Sequence, residues 1–332
     1  MSETPPAGDN QQIPDSQRIP DSQQIVASAW RDQALWSETA NHLKAELSAW
    51  RNRAAVAGVL GAFLETLAGT LAGLDGGWSW LRSLIALTGA ASLAVVPFVA
   101  RIKVSKDRVR EWVRARSASE ALKELIYRYL VGAAPFTPAS SSAELIERCR
   151  SIKEKVQDLN IYAAAIEPPE KERSLVLNVD GYVKNRVNDQ IERYYRPRGR
   201  EKALAAKRLH DWEFRLGLLA VVMGALVSAA AAAGLPQLSV LASWVAVVTT
   251  ASAAVTAHLA AARYDHEAII YLGTADRLAA LRDKWLADAN RMDPARVASF
   301  VDDCEHAIST ENEAWLAKWV RDGTDAAPES AS

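Results

Sequence analysis

The side chains that could carry out acid–base or nucleophilic chemistry are scattered along the sequence. The five histidines are scattered, and His266 with Glu267 forms one histidine–carboxylate pair on one predicted helix. The carboxylates Asp302 and Asp303 lie in a charged stretch and are expected to be solvated surface charge. The sequence contains no P-loop, dinucleotide-binding, nucleophile-elbow or zinc-protease motif. We therefore predict a protein that is not an enzyme and has no catalytic, cofactor-binding or metal-binding residues. A catalytic site assembled from distant residues is the alternative.

The composition excludes two further classes of protein. Cys149 and Cys304 have neither the CxxC spacing nor the histidine ligand pattern of a zinc site. They are expected to be small buried side chains in a reducing cytoplasm. A formal net charge of −1 over 332 residues lacks the basic footprint of a nucleic-acid-binding protein.

One carboxylate has an unusual sequence environment. Glu65 is the twelfth residue of 54–74, a run of twenty-one residues that carries no other charge. An ionised carboxylate near the middle of a membrane costs about 3 kcal/mol or more to insert. Two interpretations follow for this intramembrane polar site. Glu65 either lines a hydrated pore and gives it cation preference, or is protonated and hydrogen-bonded to a neighbouring helix.

Four apolar segments are the elements that would position Glu65. They cover about residues 54–74, 83–100, 216–235 and 238–262, and they form two hairpins with short connections. Twenty helical residues rise about 30 Å, which is the thickness of a bilayer's hydrocarbon core. The second pair is apolar all round, which favours membrane-spanning hairpins over the alternative, Ala-rich hairpins buried in a large soluble bundle.

Small residues recur four apart in these segments, a pattern that lets helix backbones approach closely in a membrane. The candidate helix-packing residues are Gly58, Gly69, Gly73 and Gly224. Packing within one four-helix monomer and packing between subunits both fit the pattern.

Basic residues flank the outer ends of both hairpins, whereas the connections carry little positive charge. Residues 75–82 contain one arginine, and 236–237 contain no basic residue. The positive-inside rule then predicts a multi-pass protein of the cell (inner) membrane with cytoplasmic termini. The same basic residues could bind anionic lipid headgroups, although topology determination is the simpler interpretation.

Short matches relate the two halves of the chain at a nearly constant offset. Asp32-Gln33 matches Asp189-Gln190 at an offset of 157, and Cys149 matches Cys304 at an offset of 155. These matches and the two hairpins predict a tandem duplication. The fold class is an all-α membrane protein of two tandem units, each a transmembrane helical hairpin with long cytoplasmic helices. The predicted boundaries are 28–166 for the first unit, 167–180 for a linker and 181–321 for the second unit, with disordered tails at 1–27 and 322–332.

The second unit carries a family resemblance. Its sequence begins with Tyr182-x-x-x-Arg186-x-x-Asp189-Gln190 and ends with CEHAISTENEAW, and the first unit contains ALKELIYRYLVGAAPF after its second span. These features resemble the SLATT superfamily, two-transmembrane effector domains associated with nucleotide-second-messenger synthases and sensor domains, here in two tandem copies.

The resemblance implies a pore-forming or membrane-perturbing effector of a prokaryotic conflict (anti-phage, abortive-infection) system. Its expected partners are the lipid bilayer, further copies of the chain in a homo-oligomer, and a sensor or nucleotide-second-messenger protein, with no nucleic acid. The alternative is a non-enzymatic membrane scaffold whose cytoplasmic helices recruit a partner protein.

Overall fold

The computed structural model describes residues 21–71, 79–137, 142–169, 175–235, 240–291 and 293–324, and within these ranges the chain is helical and forms no strand. The helices are α1 (Asp21–Leu71), α2 (Ser79–Lys103), α3 (Lys106–Val131), α4 (Ser142–Glu154), α5 (Asn160–Ala163), α6 (Val179–Tyr182), α7 (Arg196–Ala232), α8 (Val240–Ala262), α9 (Tyr264–Ala287) and α10 (Pro294–Thr324). The predicted all-α fold class is confirmed.

The longest helix, α1, continues from the water-soluble part of the protein into the first apolar segment without interruption. No glycine or proline occurs between its start at Asp21 and residue 57. Its 51 residues correspond to about 75 Å. A single rigid element therefore belongs to both parts of the molecule.

The predicted disordered tail 1–27 is wrong over residues 21–27, which begin α1. Val26 and Trp30 lie four residues apart on one face of the helix and are both buried. This packing stabilises a helix that begins within the end of the polar repeat. At the other end, α10 extends to Thr324, three residues into the tail predicted from 322. Residues 1–20 and 325–332 lie outside the described residues.

A second long helical segment runs from Val179 to Ala232. It starts with α6, passes through π-helical turns at Val183–Asn188 and Gln190–Tyr195, and continues as α7. The π-helical turns end two residues before Pro197, a residue type that disturbs regular helical hydrogen bonding. This segment also joins the soluble part of the molecule to an apolar span.

The returning helix α3 is well delimited at both ends. Ser105 caps its N-terminus by accepting a hydrogen bond from the backbone N–H of Arg108, at 3.4 Å. Gly132 ends it in the left-handed conformation, with φ of 69°, which glycine adopts without strain. These caps fix the length of the helix that lies between the two halves.

The two predicted units share one hydrophobic core. Buried side chains from the first half, such as Leu122 and Ile126, belong to the same cluster as Ile191, Leu278 and Val301 from the second half. Helix α3 contacts both α1 and α10. The predicted unit and linker boundaries stay predictions, but the halves are packed as one bundle.

Among the described residues, four helices are long and apolar enough to cross a membrane. Their large apolar side chains are exposed rather than packed: Leu87 and Val221 are each 69% exposed, and Phe98 is 67% exposed. A helical hairpin buried in a soluble bundle would cover such side chains. The exposed apolar surface therefore supports the membrane prediction over the soluble alternative.

Candidate functional site

Glu65 packs inside the first hairpin, against α2. A Cβ added to Gly89 would lie 3.1 Å from both the backbone nitrogen and Oε1 of Glu65. The carboxylate side chain is half-buried, and within the described part of the chain it forms no hydrogen bond or ion pair. Gly89 thus makes room for Glu65 between two helices. The pore-lining and protonated interpretations both stay predictions.

The predicted packing glycines occupy different environments. Gly58 faces Val96 at ordinary van der Waals distance, since an added Cβ would lie 3.8 Å from its Cγ2. Gly69 and Gly224 would meet nothing within 4 Å, so a side chain there fits the monomer. Gly73 lies outside the described residues. Within one chain, neither Gly69 nor Gly224 lies at a close contact between helices.

The helices α1 and α2 approach each other closely at Gly61, a residue that the sequence analysis did not single out. A Cβ there would lie 2.7 Å from Leu93 Cγ and 3.0 Å from the carbonyl oxygen of Gly89. Gly61 and Gly89 therefore permit the contact that positions Glu65. The spacing of small residues identified candidates, but it did not determine which face of α1 meets α2.

The two hairpins touch each other through α1 and α8. The rings of Phe63 and Trp244 meet edge to face, with centroids 5.4 Å apart. His258, the ionisable residue of the second hairpin, contacts Tyr264 through its Nε2 at 3.3 Å from the hydroxyl oxygen. No described contact joins His258 to Glu65.

Outside the membrane segments, the most deeply buried charges form a cluster around Glu305. Arg186 binds its carboxylate in a bidentate manner, from Nε to Oε1 at 2.9 Å and from Nη2 to Oε2 at 2.7 Å. The Tyr182 hydroxyl also donates to Oε1, at 2.9 Å. All three side chains are at most 1% exposed. The cluster joins α10 to the start of the second long helical segment.

The first half of the chain completes this cluster through Tyr127 on α3. The Arg186 guanidinium lies 5.1 Å from the centre of the Tyr127 ring. The Tyr127 hydroxyl donates to the backbone carbonyl of Asn185, at 3.1 Å. The buried charges therefore stabilise the contact between the two halves, in addition to the packing within the second unit.

The charges in the cluster stabilise each other. Burial alone would lower the pKa of Arg186, but the bidentate contact with Glu305 outweighs it and holds the pKa well above its ordinary value. Burial, reinforced by the negative charge of Glu305, raises the pKa of Tyr182 well above 10. Tyr182 consequently remains a hydrogen-bond donor. Because all three side chains are buried, the cluster contributes to the packing of the helices.

Two glutamines at matching repeat positions both reach α3. Gln33 donates from Nε2 to the Ser119 hydroxyl, at 3.0 Å. In the amide orientation that satisfies both of its atoms, Gln190 accepts from Lys123 Nζ at 3.0 Å and from Arg186 Nη1 at 3.1 Å. The matched glutamines therefore connect α1 and the second long helical segment to the same helix, α3.

The cysteines are buried and unpaired, as the sequence analysis expects. Burial raises the pKa of the Cys149 thiol to about 11, and it also raises the pKa of Cys304. Such thiols are poor nucleophiles. Among the described residues, no group of three or more His, Cys, Asp or Glu side chains is arranged to hold a metal ion.

Comparisons with known families divide the chain near its middle. Residues 182–315 match the family described as SMODS and SLOG-associating 2TM effector domain 1. Residues 32–144 match a family described as Protein of unknown function (DUF4231). No curated protein and no solved structure matches the chain. The predicted resemblance is confirmed for the second unit, whereas two tandem copies of one family stay a prediction. The chain is an all-α membrane protein whose second half resembles a two-transmembrane effector domain.

Proposed function

We propose that this protein is a membrane-perturbing effector of a prokaryotic conflict system, acting in anti-phage or abortive-infection defence as a pore-forming homo-oligomer without enzymatic activity. The observation that carries the proposal is the continuity of two long helices. Both α1 and the segment Val179–Ala232 run from the shared core into exposed apolar spans. A rearrangement of the core would move both spans directly.

The number of spans argues for an oligomer. The described part of one chain supplies four candidate spans, too few to enclose a wide aqueous channel. Gly69 and Gly224 present open backbone surfaces in the monomer, and small residues of this kind favour helix association in lipid. We therefore propose that they contact neighbouring subunits.

The signal would come from a partner rather than from a reaction performed by this chain. The family description links residues 182–315 to associated SMODS and SLOG modules. We propose a sensor or nucleotide-second-messenger protein as the partner, acting on the cytoplasmic bundle, and no role for nucleic acid.

Regulated expression with a membrane-potential dye tests the proposal. High expression should depolarise the cells and stop growth, since oligomer formation rises with concentration. Gly224→Leu should insert normally, because nothing in the monomer opposes it, but should depolarise less if Gly224 meets another subunit. A normal potential at confirmed membrane levels of the wild-type protein would contradict the effector proposal.

The orientation in the inner membrane is tested by labelling. Cysteines introduced at positions 77 and 237, in the connections of the two hairpins, should react with an impermeant maleimide in intact cells. Buried Cys149 and Cys304 should remain unlabelled. Labelling at only one introduced position would mean that one hairpin does not span the membrane as proposed.

The scaffold alternative rests on apolar side chains exposed outside the spans. Ile161, Val176 and Ile269 are each more than 70% exposed. A partner protein could cover them without any pore. A crosslinked cytoplasmic partner together with an unchanged membrane potential would favour this second function.

A further inference from the structure

Basic side chains gather where the bundle meets the membrane spans. Lys44 and Arg51 come from α1, Arg116 from α3, and Arg198 and Lys202 from α7; we call these five residues the juxtamembrane basic cluster. Arg116, Arg198 and Lys202 are close enough to Lys44 to repel its charge. The cluster therefore concentrates positive charge between three helices.

One buried carboxylate faces the cluster. Glu267 on α9 is 4% exposed and forms an ion pair with Lys202, with Nζ and Oε2 2.8 Å apart. The same Glu267 attracts both Lys44 and Arg51 electrostatically. A single carboxylate already paired with Lys202 cannot neutralise two more cations.

Lys44 and Arg51 lack polar partners of their own within the described residues. Lys44 Nζ lies 5.2 Å from the centre of the Trp112 ring, a cation–π contact. Arg51 Nε is buried and has no hydrogen-bond partner. Burial lowers the pKa of Lys44 to about 8, with Glu267 opposing the shift and the neighbouring cations adding to it. Cations that are desolvated without partners are costly.

Aromatic side chains contact the remaining members of the cluster. Lys202 Nζ lies 4.8 Å from the centre of the Tyr264 ring. Arg198 stacks at 5.1 Å on Tyr194, and Arg116 donates from Nη2 to the Tyr194 hydroxyl at 2.9 Å. These contacts hold the side chains of the cations in place.

We propose that the juxtamembrane basic cluster binds a phosphate group, with Arg51 and Lys44 as its principal ligands. Guanidinium donors match phosphate oxygens geometrically, and a lysine adds a point charge. Arg51 stands three residues before residue 54, the predicted start of the first span, which is about 5 Å of helical rise. The phosphate is the headgroup of an anionic phospholipid or part of a soluble molecule.

A phosphate at this position would bridge the two long helical segments. Lys44 and Arg51 belong to α1, and Lys202 belongs to α7; both helices continue into spans. Binding would therefore stabilise one arrangement of the spans over others. The inference holds whether or not the chain forms a pore.

The test uses the purified full-length chain in phosphatidylcholine nanodiscs, with thermal unfolding followed by tryptophan fluorescence. One arm adds phosphatidylglycerol to the nanodiscs, and the other adds inorganic pyrophosphate, compared with sodium chloride at equal ionic strength. A ligand at 100 times its Kd should raise the unfolding midpoint by about 5 °C or more. A rise in the first arm alone assigns the site to lipid, and a rise in the second arm alone assigns it to a soluble phosphate.

Lys44→Met separates this site from general charge effects. It should abolish the rise and should increase the midpoint in phosphate-free nanodiscs, because it removes a desolvated charge. Lys207→Met, which neutralises an exposed lysine on α7, should keep the full rise. If Lys44→Met does not fold, Arg51→Gln carries the same expectation. No rise in either arm, or an equal rise in the cluster variant and in Lys207→Met, would overturn the proposal.

Discussion

The two halves of the chain differ most at the positions that hold the buried charges. Subtracting the repeat offsets, 186 − 157 gives Ala29 and 305 − 155 gives Arg150 as the first-half counterparts of Arg186 and Glu305. Ala29 is a buried apolar residue, and Arg150 pairs with Glu147 on the exposed surface of α4. At these two matched positions, the second half therefore has a buried ion pair and the first half does not.

This difference distinguishes two kinds of core. The first half buries apolar residues, which stabilise without strict geometry. The second half buries a bidentate ion pair. The pair contributes little net stability, but removing one of its two partners is costly. The second half is also the part that matches the effector family. We interpret the ion pair as the element that specifies how α10 docks onto the rest of the bundle.

The largest predicted effect comes from removing one charge of this pair. Arg186→Met leaves Glu305 buried and unpaired, which should cost about 3–5 kcal/mol of unfolding free energy. The matched change in the first half, Arg150→Met, removes an exposed arginine and should cost less than about 0.5 kcal/mol. Denaturant unfolding in detergent measures both variants.

A double variant sharpens this comparison. Arg186→Met combined with Glu305→Leu removes both charges and should recover part of the lost stability. Equal losses for Arg186→Met and Arg150→Met would show that the halves do not differ in the proposed way.

A second prediction compares glycines that are packed and open. Gly61→Ala in the first hairpin places a methyl group 2.7 Å from Leu93 Cγ and 3.0 Å from a backbone oxygen, which should cost about 1–3 kcal/mol. Gly69→Ala in the same helix meets nothing within 4 Å and should be neutral or slightly stabilising. Unfolding titrations with a denaturing detergent distinguish them. A stability loss confined to Gly69→Ala would place the helix contact on the other face of α1.

Local patterns predicted the spans, whereas contacts distant in sequence were not predictable. The four apolar runs and their lengths determined the candidate membrane helices, because length and hydropathy are properties of each segment alone. Arg186 and Glu305 are separated by 119 residues, and no local pattern pairs them. The sequence does contain an indication that these polar residues are buried. Tyr182 and Arg186 are spaced four apart, beside the buried Val183 and Val187.

The start of α1 illustrates the same limit. Residues 21–24 belong to a polar repeat, but the helix already begins there and is stabilised by tertiary packing of the nearby Val26. Likewise, small-residue spacing identified Gly58 and Gly69, while the close contact is at Gly61. Which face of a helix meets its neighbour depends on the partner helix.

A third prediction concerns the carboxylate that only the first hairpin contains. Glu65→Gln preserves the shape that fits against Gly89 but removes ionisation. If Glu65 lines a conducting path, the variant should insert normally and change the ion selectivity of depolarisation. Thr70→Val is the matched control, because the Thr70 hydroxyl already donates to the backbone carbonyl of Leu67, at 2.8 Å. Depolarisation and selectivity identical to wild type would exclude the pore-lining role.

The smallest predicted effect concerns His210, whose counterpart by the offset of 157 is Arg53 in the first half. The His210 ring contacts Asp265 at 3.1 Å and Glu213 at 3.4 Å, and Thr256 donates to the same Glu213 at 2.6 Å. The hydrogen bond to Asp265, assisted by Glu213, raises the pKa of His210 above 6.5. Protonation therefore strengthens the contact between α7 and α9. The matched residue in the first half, Arg53, lies over the Trp50 ring instead.

The sign of the pH dependence follows from the raised pKa. The stabilisation by protonated His210 is complete below about pH 6.5 and is lost as the pH rises through the higher folded-state pKa. Amide hydrogen exchange at the start of α9 should accordingly be faster, relative to its intrinsic rate, at about pH 8 than at about pH 5.5. His210→Gln should remove this difference, while Arg53→Gln should leave it unchanged. Since the ring is 54% exposed, solvent screening keeps the effect small. Two results would contradict this prediction: an NMR titration that gives His210 a pKa at or below 6.5, or an unchanged exchange difference in His210→Gln. Either result would show that the His210 contact does not distinguish the base of the second hairpin from the base of the first.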